Sequence, residues 1–137
     1  MNEYVLSPEE VSPESIKAVF DDAHIGATLT ADDKVCVAEE GIKVFISVEE
    51  DKQLLTYFLL FGWRGGTRPQ DQLELINTLN QNVVFLRAWA FPEGIVLDYS
   101  LPYDGGLLPQ QVLSAYQWLR RTAIWGIQQY DQKRIVA

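Results

Sequence analysis

The sequence predicts one α+β domain on an antiparallel sheet, in the order helix, three strands, helix, two strands, helix. Apolar residues repeat at helical spacing in three separated stretches and at alternate positions in the runs between them. Strands and helices do not alternate one for one, as the parallel βαβ units of a nucleotide-binding sheet would require. The 137 residues, 47% of them hydrophobic, suffice for one packed core and are too few for two. The whole chain, 1–137, is therefore expected to form a single domain, with residues 1–12 as an N-terminal extension.

The first helix is announced by Ser12-Pro13-Glu14: a capping hydroxyl, a proline pre-set for the first turn, and an acid on the helix dipole. Ile16, Val19, Phe20 and Ala23 then form one apolar stripe. Ser7-Pro8-Glu9-Glu10 repeats the start signal, with room for one turn only. After Asp32-Asp33, Val35 and Val37 alternate with polar or small residues, and beyond Gly41 the set Ile42, Val44, Ile46, Val48 alternates with Lys43, Phe45 and Ser47, which predicts two antiparallel strands. The run 54–61 is apolar on both faces and reads as a central strand covered on both sides.

A glycine-rich loop, residues 62–66, leads to Thr67 or Arg68 as the cap of a second helix with the stripe Leu73, Ile76, Leu79, ending near Asn82. The β-rich runs 83–91 and 95–101 are joined by Pro92-Glu93-Gly94 as a hairpin, in which a left-handed Gly94 would make a three-residue loop. That loop pairs Arg87 with Tyr99 and leaves Arg87 without Asp98; a two-residue loop would set Arg87 against Asp98 instead. The three-residue loop is the expectation. Gly105-Gly106 breaks the chain, and a long third helix is expected from Pro109 to Tyr130.

Charge and composition exclude several function classes. The net charge of −8 is uneven: residues 1–51 hold 13 acids and 3 bases, residues 52–137 hold 6 acids and 8 bases. Nucleic-acid affinity rests on neutralising phosphates, so no DNA or RNA partner is expected. No stretch approaches the ~20 apolar residues of a membrane-spanning helix, and the first ten residues carry acids where a leader peptide carries Lys or Arg. A cytoplasmic location without a membrane partner follows as the expectation. One histidine (His24) and one cysteine (Cys36) cannot assemble a zinc site or a catalytic triad. No enzyme and no cofactor are expected.

Three segments stand out as candidate sites. On the third helix Val112, Tyr116, Leu119, Ala123, Ile127 and Tyr130 share one face, while Trp118 and Trp125, with Arg121 beside them, lie on another. Either the helix is buried between two elements, or Trp118, Arg121 and Trp125 form an interface stripe, Trp and Arg being dominant interface anchors. In the hairpin, Arg87 and Trp89 share a face with Phe85, a second candidate protein-binding cluster or an ordinary stacked arginine. The loop containing Arg64, Gly65, Gly66 and Arg68 could hold an anion at a helix N-terminus, or be a plain connector; it lacks the Gly-Lys-Ser/Thr ending of a phosphate-binding P-loop.

The element order, the small acidic chain and the run from GIKVFISVEEDKQLLTYFLLF through LRAWAFPEGIVLDYSLP to the final helix resemble the bacterial YbjN family, itself similar in fold to class I type III secretion chaperones. The resemblance covers roughly residues 13–130. It implies a homodimeric, ATP-independent protein that holds or regulates a client protein, with a type III secretion chaperone-like fold and no catalytic motif. The alternative, from another class, is a sensor of a small anion or nucleotide using residues 62–68.

Overall fold

The computed structural model describes residues 4–137, so the first three residues of the expected N-terminal extension lie outside it. One antiparallel sheet of six strands, in the order β1-β2-β3-β4-β6-β5, carries three helices on one face. Helix α1 spans Pro13–Asp22, and the Ser12 and Ser15 side chains each accept from the other's backbone amide at 3.0 and 2.9 Å. Pro8–Glu10 forms the single expected turn, of 3-10 type.

Strand β1, Ala27–Leu29, has no counterpart in the sequence expectation, because three residues are too few to show alternation; it is held by its register with β2, Val35–Glu39. Strand β3, Ile42–Glu49, follows β2 through Glu40-Gly41, both at positive φ (54° and 80°), as a two-residue primed turn requires. Strand β4, Leu54–Gly62, lies between β3 and β6, Gly94–Pro102. Leu55, Tyr57 and Leu59 are fully buried under the helices, whereas Phe58 is half-buried and Leu60 is 44% exposed. The expectation of cover on both sides is therefore corrected. The second face of β4 is shielded only by cross-strand neighbours, with Phe45 stacked on Phe58 at 5.4 Å.

Helix α2, Pro69–Asn82, buries Leu75, Ile76 and Leu79, while Leu73 is 58% exposed and leaves the predicted stripe. Its Asn80 amide both donates to and accepts from the backbone of Ala88 (3.0 and 2.8 Å), so α2 caps the outer edge of β5, Arg87–Phe91. The hairpin register differs from the expected one: Phe91 pairs with Gly94 and Arg87 with Asp98, across the two-residue loop Pro92-Glu93. The cause is non-local. Gly94 also pairs with Gly62 of β4, and a Cβ there would stand 2.0 Å from the Phe61 carbonyl oxygen; the glycine serves close approach and stays extended instead of turning left-handed.

Helix α3, Pro109–Tyr130, has the predicted bounds and buries Val112, Ala115, Tyr116, Leu119, Ala123 and Gly126. The Tyr57 hydroxyl donates to the Val112 carbonyl at 2.9 Å, tying sheet to helix, and burial pushes that phenol above its ordinary range. The tail, residues 131–137, runs back across the end of β4: Val136 bridges Trp63, and the Ala137 amide donates to Gly62 at 2.8 Å. No helix of the described residues is long and apolar enough to cross a membrane.

Candidate protein-binding groove

A face of α3 about 120° around from its buried stripe carries Trp118 and Trp125, 54% and 50% exposed. Of the two readings of the sequence, a helix sandwiched between elements does not fit these exposures. Seven residues make almost two turns, so the rings align about 10 Å apart along the axis. Arg121 lies between them with its guanidinium carbon 4.9 Å from the Trp118 ring centroid.

The opposing wall comes from the end of α2 and the segment between α2 and β5. Asn82, Val83, Val84 and Phe85 line one side and Trp118, Arg121, Thr122 and Trp125 the other, around about 630 Å³ of open space. The backbone makes this wall. Phe85 has φ of +84°, a conformation that bulky residues rarely adopt. The reversal turns its ring away from the face of Arg87 and Trp89 and onto Tyr99 (centroids 4.2 Å, nearly parallel), next to Trp118 at 6.2 Å. Val84 is left 84% exposed. Within the same segment Val83 is buried in the core and Phe85 packs against it, so only Val84 faces solvent. Sequence reasoning found the α3 stripe but missed this wall; the signal available was an apolar Val-Val-Phe-Leu run longer than its strand needed.

The second candidate cluster lies on the uncovered face of the sheet. Asp98, 6% exposed, accepts from Arg87 at 3.1 and 2.8 Å and from the Trp89 indole at 2.9 Å. The hydrogen bonds it donates to Asp98 hold the Arg87 guanidinium above its ordinary pKa. Phe85 is not part of this cluster, so the expected cation between two rings is replaced by a cation and an indole sharing one carboxylate. Around it the same face presents Phe45, Phe58, Leu60 and Trp89, the last two 44% and 43% exposed. Among the described residues no helix covers them.

The third candidate, the glycine-rich loop, is occupied by the chain itself. Arg64 donates from its side chain to the Val136 carbonyl (3.3 Å) and from its amide to Ile135 (2.7 Å). Arg68 grips Asp71 with two bonds of 3.1 and 3.2 Å. Lys133 of the tail reaches the same carboxylate at 2.8 Å, and the hydrogen bonds from Lys133 and Arg68 hold Asp71 below the usual carboxylate range. Gly65 and Gly66 form the turn, Gly66 at φ +81°.

This two-layer arrangement, one helical face and one open sheet face, is similar in fold to solved type III secretion chaperones. SycH of Yersinia pestis, solved in complex with a fragment of YscM2, superposes with a TM-score of 0.56 at 14% identity, covering 82% of this chain and 98% of that one. The chaperone–effector complex of SchA and HopA1 gives 0.54 at 10% identity, over 77% and 87%. The chain belongs to the YbjN family, whose model matches residues 12–123 and is described as "Putative bacterial sensory transduction regulator". YbjN from E. coli superposes with a TM-score of 0.75 at 12% identity, over 93% of this chain and 96% of its own. Among curated proteins, none matches by sequence.

Proposed function

We propose that the protein is a non-enzymatic protein-binding domain, a chaperone-like or regulatory adaptor, that acts as a homodimer and receives a client polypeptide in the Trp118–Trp125 groove. The observation that carries this reading is the groove itself: two aligned, half-exposed tryptophans face a strained apolar segment, where a monomer with no partner would gain by burying or losing them. The family's regulatory description and the client-bound chaperones of the same fold support it. A second uncovered apolar surface, the sheet face around Leu60 and Trp89, supports self-association distinct from client capture. The loop 62–68 offers a ligand less, since Arg64 and Arg68 already serve the tail and Asp71.

Capture experiments from the source cell, with the wild-type chain and a Trp118→Leu, Trp125→Leu variant side by side, test the client arm. Polypeptides retained by the first and lost by the second are expected; identical retention would refute it. Light scattering tests the dimer. A mass near twice 15.6 kDa is expected, and a mass near 15.6 kDa at tens of micromolar would refute it.

A further inference from the structure

The groove has a charge character opposite to that of the protein. The chain as a whole is −8, and its long-range field favours basic partners. Yet residues 75–92 and 105–130, which supply both groove walls, contain Arg87, Arg120 and Arg121 and not one carboxylate. Two of these cations are engaged. Arg87 is held by Asp98 on the other face of the sheet, and Arg120 donates to the Glu39 carbonyl at 3.1 Å and approaches the Glu40 carboxylate at 4.0 Å. Arg121 is exposed, rests on the Trp118 ring and, among the described residues, has no carboxylate within ion-pair distance. It is thus a free guanidinium at the middle of an otherwise uncharged apolar trough.

The spacing of the trough fixes a shape as well as a charge. Trp118 and Trp125 are two turns apart and Arg121 is three residues from the first of them, the pattern that a partner helix meets with apolar anchors at i and i+7 and one polar contact between. We propose that the occupant of the groove is an amphipathic helix bearing two apolar anchors at two-turn spacing and a carboxylate between them, which pairs with Arg121. This rests on the protein-binding reading above and deepens it. The aromatic walls supply the affinity. The lone cation sets the register of the helix and selects acidic over basic segments, against the overall field of the domain.

The test uses the intact protein and three synthetic helical peptides of about 15 residues, long enough to hold helical structure, with leucine anchors at i and i+7. They are identical except for Glu, Gln or Lys midway between the anchors. Binding is followed by calorimetry at low salt. The Glu peptide is expected to bind about three- to tenfold more tightly than the Gln peptide, the range of a partly exposed ion pair, and the Lys peptide least. Arg121→Glu should invert that order, and Arg121→Lys should keep it with a smaller ratio. Equal affinity for all three, with the groove still required, would overturn the carboxylate assignment and leave the protein-binding reading standing. Tightest binding of the Lys peptide would also overturn it, since the overall charge would then govern. No binding of any peptide at millimolar concentration would overturn both.

Discussion

Replacing Trp118 and Trp125 together by leucine separates folding from binding. Each indole is about half exposed, so of the ~150 to 250 Å² that an aromatic ring can bury, about 100 Å² is covered. At ~25 cal/mol per Å² that cover contributes about 2.5 kcal/mol, reduced by a tenth to two fifths for a compact unfolded chain. Leucine keeps part of this cover and has the better helix propensity. The net cost should be about 1 kcal/mol or less per site, a few degrees in Tm for a domain of this size. The lost outer rings are the walls of the groove, and two interface anchors of this kind cost at least ~2 kcal/mol in affinity, more than twentyfold. Urea denaturation gives the first number and peptide calorimetry the second. A variant that loses more than about 4 kcal/mol of stability would mean that the rings are core; one that stays stable and binds as before would mean that the groove is not the site.

Three further outcomes follow from the geometry. Asp98→Ala should destabilise by about 1 to 2 kcal/mol in urea titration, because Arg87, mostly in water, can resolvate while the Trp89 indole loses its acceptor; a neutral result would show that the cluster contributes nothing. The Asp71 carboxyl sits below its ordinary 3.8, so the clamp on the tail is fully present above that pH and is lost as the pH falls through the lower folded value; tail amides followed by NMR should keep their shifts from pH 7 to 5 and move below pH 4, and a transition near neutrality would contradict the assignment. Millimolar ATP, GTP, cyclic nucleotides or phosphate should leave Tm unchanged, whereas a ligand at 100 times its Kd adds ~2.7 kcal/mol and shifts it by several degrees. A shift abolished by Arg64→Ala, Arg68→Ala would move the function to the glycine-rich loop.

What could be read in advance follows from the range of the forces involved. Ser12-Pro13 and the Pro109 to Tyr130 periodicity are local signals, and both helices begin where those signals stand. The hairpin register is not local: Pro92-Glu93-Gly94 is compatible with either loop, and the contact of Gly94 with Phe61, far away in sequence, selects one. The reversal at Phe85 is likewise selected by stacking on Tyr99, and β1 exists only because β2 offers it a ladder. Half of the groove, the tryptophan stripe, was legible as a helical face with too much apolar circumference. The other half left only the excess length of the apolar run before Arg87, because the composition of Val83-Val84-Phe85 suits a strand as well as a strained wall. The tail over the loop 62–68 gave no signal beyond two apolar residues, Ile135 and Val136.

The most direct test places a photoreactive phenylalanine analogue at position 84, where the native valine is 84% exposed on the groove wall, and irradiates the source cells. The account predicts crosslinked species of discrete mass that contain a second polypeptide, absent when the same analogue stands at position 52, on the turn after β3, and lost in the Trp118→Leu, Trp125→Leu background. Crosslinking at position 84 no greater than at position 52, or unchanged by loss of both indoles, would contradict it.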